Sequence, residues 1–434
     1  MRHYHIWTVG CQMNKADSER MGAALEQLGL SAVDEPADAD VVVLNSCVVR
    51  QNAEDRVVGM LTSLKPWKQS HPDRTIALMG CMVGPQQDGL RKQFPYVDTF
   101  MRPQQFDSLI RIVAEKQGVD PEGCVGPLVP GHPRVTIFVP ISHGCDKFCT
   151  FCIIPYRRGR DVSRPFDDLV DECKMLAARG VKEVTLLGQN VDSYGHDLPG
   201  KPDLADLLTA IHERVPELSR IRFLTSHPND MSQRIIEAVA RLPRVMEFIN
   251  LPFQAGDDMV LANMRRGYTN AQYRELVGRI RATIPNVAMV TDLIVGFPGE
   301  TEEQFERTLE LVRDLRFDKV HGAAYSVRPG TIAARQLPDD VPQAEKERRL
   351  RAVEALQERI LSEINAGYFG TTQEVLVDGH HRGRWQGRTR TDKLVFIESD
   401  EDLAGRLVSV RITKTSPWSL QGRLARSAEP VSTG

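Results

Sequence analysis

Three cysteines, Cys145, Cys149 and Cys152, stand at C-x3-C-x2-C spacing in His143-Gly144-Cys145-Asp146-Lys147-Phe148-Cys149-Thr150-Phe151-Cys152, just after the apolar run Val135 to Ile141. Three thiolates on one loop can ligate an iron–sulfur cluster, but a cube of four irons ordinarily takes four cysteines. A three-cysteine loop therefore leaves one iron open to a small molecule, whereas a structural metal site is closed by a fourth protein ligand. A zinc ion with His143 as fourth ligand is the alternative, although the spacing is not the paired C-x2-C of zinc ribbons. A disulfide would need an oxidising compartment, of which the chain carries no sign.

A second trio is spread over the first segment. The apolar runs His5 to Gly10, Val41 to Ser46 and Ile76 to Gly80 lead directly to Cys11, Cys47 and Cys81. Helical stretches follow at Asp17 to Leu28, Ala53 to Lys65 and Gln86 to Gln93. Short β-rich runs alternating with helices predict a parallel sheet. All three cysteines then lie at carboxyl ends of strands, where open α/β sheets gather ligands. One free cysteine at a strand end is usually a packing residue; three at equivalent places predict a second three-cysteine site. Residues 119–130 are dense in proline and glycine and predict a linker. Cys124 within it has no partner at ligand spacing and is read as non-essential.

The central segment alternates predicted strands at 135–141, 183–187, 220–224, 247–251, 287–293 and 320–325 with helices at 165–179, 203–215, 231–241, 270–283 and 301–314. Six such units predict a partial (β/α)6 barrel with its function on the loops after the strands. Gly188 and Gly296 allow close backbone approach to a ligand, and Gln189, Ser226 and Gln254 bring neutral hydrogen-bonding groups to the same kind of loop. Arg157, Arg158, Arg160 and Arg164 follow the cysteine loop; phosphate contact is preferred here over a structural ion-pair network. Cys173 has helical neighbours that suit a packed residue. Residues 341–365 predict a last helix with an apolar stripe against the barrel.

From residue 366 the periodicity changes to alternation, with five short strands that predict a small OB-like β-barrel. Arg382, Arg384, Arg388, Arg390 and Lys393 are opposed only by Asp392 in 382–393, so this stretch is locally basic, as either a nucleic-acid platform or an ordinary soluble barrel with charged loops would be. The whole chain of 434 residues is 41% hydrophobic and 26% charged with a formal net charge of −3, ordinary globular values that exclude a protein coated in basic charge. No apolar run reaches the roughly 20 residues of a membrane span, and the start is too short for a signal peptide. Eight cysteines without a secretory signal predict a reducing cytoplasm.

The cysteine loop, with Phe151 before its last cysteine, resembles the signature of radical S-adenosylmethionine enzymes. In that superfamily the open iron binds the methionine moiety of the cofactor. The resemblance implies S-adenosylmethionine contacts at Gly188, Gln189, Ser226, Gln254, Ile294 and Gly296. Gly10-Cys11-Gln12-Met13-Asn14, Asp17-Ser18-Glu19, Asn45-Ser46-Cys47 with Val49-Arg50, and Gly80-Cys81-Met82 resemble the N-terminal domain of methylthiotransferases, in which the three cysteines hold an auxiliary 4Fe-4S cluster. The last segment, through Gly387-Arg388-Thr389 and Lys393-Leu394-Val395-Phe396, is similar to the TRAM domain of tRNA-modifying enzymes. Over nearly the whole chain the likeness is to MiaB-type tRNA methylthiotransferases, helped by Gly188 to Gly195 and Arg265-Arg266-Gly267-Tyr268-Thr269. Asn250-Leu251-Pro252 and Gln254-Ala255-Gly256-Asp257 depart from the family's usual His-Leu-Pro and Gln-Ser-Gly-Ser.

The resemblance implies an α/β fold in three domains: 1–118 with the auxiliary cluster, a radical S-adenosylmethionine core at 131–364, and an RNA-binding TRAM barrel at 367–430. It implies two 4Fe-4S clusters and S-adenosylmethionine as cofactors, and methylthiolation of C2 of N6-isopentenyladenosine beside the tRNA anticodon. One S-adenosylmethionine would be cleaved to a 5′-deoxyadenosyl radical and a second would donate the methyl group. Such chemistry suits a C–H bond that no side-chain base can usefully deprotonate, and no catalytic residue is expected beyond the clusters and cofactor. The RNA contacts expected are Arg157, Arg158, Arg160, Arg388 and Lys393. The expected partners are tRNA, an electron donor such as flavodoxin or ferredoxin, and the iron–sulfur assembly machinery, for a monomer with no membrane role. Sister enzymes acting on threonylcarbamoyladenosine or ribosomal protein S12, and a non-catalytic RNA-binding iron–sulfur protein, are the alternatives.

Overall fold

The structure, a computed structural model, describes residues 1–48, 51–120 and 128–425. Val49, Arg50, Cys124 and much of the expected linker lie outside the described residues. Two compact units are present. The first comprises Met1–Pro133, Phe138–Phe148 and Cys152–Val162, and the second Arg134–Ile137, Cys149–Phe151 and Ser163–Gly434.

The first unit is built on a five-stranded sheet in the order β2-β1-β3-β4-β5. Its strands are β1 (His3–Val9), β2 (Ser31–Ala32), β3 (Val41–Ser46), β4 (Thr75–Gly80) and β5 (Thr99–Met101), and every pairing is parallel. β3 and β4 are buried along their whole length, as expected of strands covered on both faces by crossover helices. Those helices are α1 (Gln12–Gln27), α2 (Gln51–Ser70), α3 (Asp88–Gln93) and α4 (Asp107–Gln117). β5 and α4 were not expected from the sequence: a three-residue strand carries too little periodicity to register. α1 begins earlier than the expected Asp17, because Cys11 occupies its N-cap. α2 runs past Pro66, where proline alone predicts a stop, because Trp67 packs against the apolar core on that side of the sheet.

Six further strands follow: β6 (Thr136–Pro140), β9 (Glu183–Leu187), β10 (Arg220–Leu224), β11 (Phe248–Asn250), β12 (Ala288–Val295) and β13 (Lys319–Ala324). They form two three-stranded sheets, β10-β9-β6 and β11-β12-β13. Hydrogen bonds Ile221 N to Arg244 O and Ser226 N to Asn250 O join their facing edges. The two-residue strands β7 (Ser142–His143) and β8 (Val162–Ser163) pair with each other, and the short α5 (Ile154–Arg158) lies between them. α6 (Phe166–Ala178), α7 (Leu204–Arg214), α8 (Gln233–Arg241), α9 (Asp258–Asn263), α10 (Asn270–Thr283) and α11 (Glu302–Leu315) alternate with the strands. Asp203, Thr269 and Thr301 start α7, α10 and α11 with reciprocal capping boxes, the latter two in the usual Thr-x-x-Gln form. After α12 (Ile332–Gln336) comes α13 (Gln343–Ala366), the expected last helix.

The last segment closes into a five-stranded barrel, β14 (Thr372–His381), β15 (Arg384–Thr389), β16 (Leu394–Ile397), β17 (Leu407–Thr415) and β18 (Leu420–Leu424), in the order β14-β15-β16-β18-β17. Val375, Val377, Val395, Ile397, Val410, Ile412 and Leu420 fill it. The β14–β15 hairpin turns at Arg382 and Gly383, both at positive φ, as a two-residue hairpin turn prefers.

Buried arginines fix this barrel to the strands of the second unit. Arg220, wholly buried, donates to the Arg388 carbonyl at 2.7 Å and to the Glu374 carboxylate at 2.9 Å. Arg222 donates to the Arg390 and Thr389 carbonyls, both at 2.8 Å, and to Glu183 at 2.9 Å.

Candidate functional site

The register of the first sheet sets Val9 beside Ser46 and Ser46 beside Gly80. The strands therefore end together, and Cys11, Cys47 and Cys81 follow within two residues of those ends. A buried amide pair locks the ends. Asn14 donates to Asn45 Oδ1 at 2.8 Å and to the Ser46 carbonyl at 3.0 Å, while Asn45 donates to the Asn14 carbonyl at 2.7 Å and to Ser18 Oγ at 2.9 Å. The close approach requires glycine: a Cβ on Gly80, at φ +99°, would meet Asn45 Oδ1 and the Ser46 carbonyl.

The thiols differ electrostatically. A hydrogen bond with Cys47 is the main influence bringing the Cys11 thiol down to about 6, whereas burial pushes the Cys81 thiol up. Arg158 Nε donates to Cys81 Sγ at 3.2 Å, and its Nη2 ion-pairs with Asp17 Oδ2 at 3.0 Å, with both side chains essentially fully buried. Arg158 was expected to contact RNA phosphate. The structure corrects this: the guanidinium is enclosed between a buried carboxylate and a cysteine and has no face for a phosphate.

In the same unit Val48, Cys81, Ile153 and Ile154 form an apolar cluster, and Cys145 and Cys152 pack against it. Cys81 of the first cysteine trio and two members of the second thus share one patch of core. Gly144, at φ +78°, lets the loop turn where any Cβ would meet the Arg160 carbonyl, and the Cys145 amide donates to the Gly159 carbonyl at 3.1 Å.

Cys149 belongs to the second unit and is buried. Thr150 anchors it there through its amide to the Met264 carbonyl at 3.1 Å and its hydroxyl to the Asn263 carbonyl at 2.8 Å. Arg266 Nη1 donates to Cys149 Sγ at 3.2 Å, Nε to the Tyr268 hydroxyl at 3.0 Å and Nη2 to the Pro252 carbonyl at 3.0 Å. Burial works against this charge, but the Tyr268 oxygen and the Cys149 sulfur outweigh it and raise its pKa. Sequence reasoning quoted Arg266 as part of a family word and gave it no role; nothing in one sequence says that it reaches back 117 residues.

Whether these residues fit thiolate-bound clusters is tested by the two buried guanidiniums. Each places an N–H on one cysteine sulfur, the kind of donor that stabilises a ligated thiolate. No three His, Cys, Asp or Glu side chains among the described residues converge on a point of single-ion size; a cluster, in which each thiolate takes a different iron, does not ask them to. The donor sets fit.

The expected cofactor positions lie at the carboxyl ends of consecutive strands: Gly188 and Gln189 after β9, Ser226 after β10, Gln254 after β11, and Ile294 and Gly296 at the end of β12. Hydrogen bonds run between these ends. Val191 N donates to the Thr225 carbonyl at 3.1 Å, Ser226 N to the Asn250 carbonyl at 3.1 Å, and Gln254 N to the Asp292 carbonyl at 3.0 Å. Thr225 and Gln254 sit at φ +75° and +70°, an uncommon conformation for non-glycine residues and an outlier for a β-branched one; such strain gathers at functional sites. Asn250, which stands where the family usually has histidine, uses both ends of its amide internally, accepting from Thr225 N and donating to Asp292 Oδ2, each at 3.1 Å. The Ser226 hydroxyl is bonded to Asp192 at 2.9 Å. At Gly296 any Cβ would meet the Lys346 side chain of α13, and Arg349 of the same helix holds Glu300, whose carboxylate accepts from the Gly296 amide.

Of the other expected RNA contacts, Lys393 is buried and pairs with Asp318 at 2.8 Å, which turns it away from any phosphate. Arg388 pairs with Asp392 at 3.3 Å, and the neighbouring Arg390 with Glu247 at 2.6 Å. Within the basic stretch, Arg390 and Lys393 are therefore met by acids distant in sequence. Arg157 is half-buried. Arg160 is exposed, over the Phe148 ring and paired with Asp146 at 2.6 Å. Arg382, at the hairpin tip, is exposed. Cys173 is wholly buried in α6, as a packed residue would be.

Comparison with known proteins matches residues 139–312 to the radical SAM superfamily, residues 3–102 to the uncharacterized protein family UPF0004, and residues 367–425 to the TRAM domain. A tRNA-2-methylthio-N(6)-dimethylallyladenosine synthase of Roseiflexus sp. (strain RS-1) is 52% identical over 432 residues, covering 99% of this chain and 90% of that protein. The protein of the same name from Dehalococcoides mccartyi (strain ATCC BAA-2266 / KCTC 15142 / 195) is 51% identical over 429 residues, 99% of this chain and 100% of that protein. Among solved structures, the radical S-adenosylmethionine methyltransferase TsrM from Kitasatospora setae, with tryptophan substrate and a SAM analogue bound, matches with a TM-score of 0.57 at 15% identity, over 87% of this chain and 79% of that one. At that identity the likeness speaks for the fold alone.

Proposed function

Because the chain belongs to the tRNA-2-methylthio-N(6)-dimethylallyladenosine synthase family, we propose that it is a radical S-adenosylmethionine methylthiotransferase acting on C2 of N6-isopentenyladenosine beside the tRNA anticodon. The observation that carries this reading is the shared core patch, in which Cys81 of the sheet trio meets Cys145 and Cys152 of the loop trio. A radical at the base and a sulfur to place there must be close together, and one trio alone would serve only the first need.

When bound, the clusters would supply one-electron cleavage of S-adenosylmethionine and an open iron on which sulfur is held, a second S-adenosylmethionine supplying the methyl group. Cys145, Cys149 and Cys152 would hold one cluster and Cys11, Cys47 and Cys81 the other. The remaining work belongs to the protein. The Asn14–Asn45 amide pair holds the ends of the first sheet in register. Thr150 fixes Cys149 to the residues around Met264. The joined strand ends from Gly188 to Gly296 present backbone and amide groups to S-adenosylmethionine, and α13 keeps the Gly296 turn in place.

A tRNA substrate agrees with the TRAM match. Arg160 and Arg382, still exposed, are the phosphate contacts we assign in place of Arg158 and Lys393. Electrons would come from a flavodoxin- or ferredoxin-like donor, and the clusters from the iron–sulfur assembly machinery. No helix among the described residues is long and apolar enough to cross a membrane, and a cytoplasmic monomer fits the reading. Mass spectrometry of tRNA nucleosides tests it: cells lacking the gene should lose 2-methylthio-N6-isopentenyladenosine and accumulate the unmodified isopentenyl form. Persistence of the methylthio group, with no redundant enzyme, would sink the substrate assignment.

A further inference from the structure

Arg266 is a buried cation without a carboxylate. Its three partners are the Cys149 sulfur, the Tyr268 hydroxyl and the Pro252 carbonyl, and among the described residues no Asp or Glu pairs with it. A guanidinium is not deprotonated in a protein, and a buried charge persists only when an opposite charge or a full set of acceptors compensates it. Two of the acceptors are neutral. The third is a cysteine sulfur, which is negative as a metal-ligating thiolate, whereas burial favours the protonated Tyr268 hydroxyl.

We infer that Arg266 is the internal counter-ion of the cluster on Cys145, Cys149 and Cys152, a positioning residue that orients the Cys149 thiolate and makes the cluster easier to reduce. This rests on the reading that Cys149 is a cluster ligand. The geometry carries it in two ways. The planar fork fixes three directions at once, so Nε on Tyr268 and Nη2 on Pro252 leave Nη1 aimed at Cys149. Tyr268 is itself held, its hydroxyl lying 2.9 Å from the Phe253 carbonyl, so the donor cannot swing away. A fixed positive charge and an N–H on a ligand sulfur both favour the reduced, more negative cluster. Pro252 and Phe253 run directly into Gln254 at its strained φ, so the same side chain ties the ligand to a cofactor-facing turn.

The test uses the full chain carrying Cys11→Ala, Cys47→Ala and Cys81→Ala, so that one cluster remains, reconstituted anaerobically. Iron per chain and the midpoint potential are measured for this parent and for Arg266→Lys, Arg266→Met and Tyr268→Phe added to it. Arg266→Met should move the potential to a more negative value, Tyr268→Phe should move it less, and Arg266→Lys should recover most of the loss. A loaded Arg266→Met protein with the parent's potential overturns the inference. If Arg266→Met cannot hold iron, Arg266→Lys decides: a potential near the parent's supports the charge role, and iron loss equal to that of the methionine variant overturns it. The underlying reading fails separately. Cys145→Ala, Cys149→Ala and Cys152→Ala in the otherwise native chain should lose about half the iron; iron fully retained there removes Cys149 as a ligand, whatever the arginine does.

Discussion

Arg158 and Arg266 are both buried, and both donate to a cysteine sulfur at 3.2 Å. They differ in what stands on the other side. Arg158 has Asp17, so its charge is countered by a buried carboxylate within an ion pair. Arg266 has a tyrosine hydroxyl and a carbonyl, so its charge reaches Cys149 uncompensated. The same side chain in the same kind of contact therefore acts mainly by holding geometry at one trio and mainly by electrostatics at the other. This division suits the roles proposed for the two trios, a sheet site that keeps three strand ends in register and a loop site that would accept electrons.

The comparison breaks most visibly at Arg158. Arg158→Ala leaves the Asp17 carboxylate buried without its partner, a loss of about 3–5 kcal/mol, to be read by urea unfolding of the apo chain under reductant. Asp17→Asn with Arg158→Met, removing both charges, should restore most of it. A single variant as stable as the native chain would show that the ion pair does not hold the first unit. In the double variant the potential of the cluster on Cys11, Cys47 and Cys81 should shift less than Arg266→Met shifts the other; an equal shift would erase the distinction drawn here.

Next in size is Gly80→Ala. The added methyl has no space beside Asn45 and Ser46, so the strand ends must part, and iron per chain should fall by about half while the loop cluster stays. Full iron content would mean that the register is not what brings Cys81 to its partners. Smallest is Arg382→Glu at the hairpin tip. It should weaken tRNA binding and lower the salt dependence of log K by about one contact, with stability within about 0.5 kcal/mol of the native chain. Unchanged affinity removes the tip from the RNA contacts. Deleting the barrel from residue 367 onward would test RNA binding poorly, because it strips Arg220 and Arg222 of buried partners.

Much of this was legible in the sequence because it is periodic or local. Alternating strand and helix runs, the C-x3-C-x2-C spacing and the cysteine that follows each of three strand runs are all short-range signals, and the strands that bear the site residues lie where those signals put them. Arginine roles were not legible. Arg157, Arg158 and Arg160 look alike in a line of text, yet Arg158 is buried because Asp17, 141 residues upstream, meets it. Arg388, Arg390 and Lys393 read as a basic patch until Asp318 and Glu247 arrive from another part of the chain. Burial of charge depends on partners that only the fold brings together. Asn250 makes the same point: in sequence only a departure from the family's usual histidine, it is a tie between strand ends.

The arginines that seat the last barrel grip mainly through main-chain oxygens, those of Arg388, Thr389 and Arg390, with Glu374 adding a carboxylate. Every amino acid offers the same carbonyl. Exposed side chains away from that seat, Arg382 among them, can therefore vary without loosening it, while Arg390 and Lys393, paired with Glu247 and Asp318, cannot; a lineage can re-aim this module at a different RNA shape while the strands beneath it go unaltered.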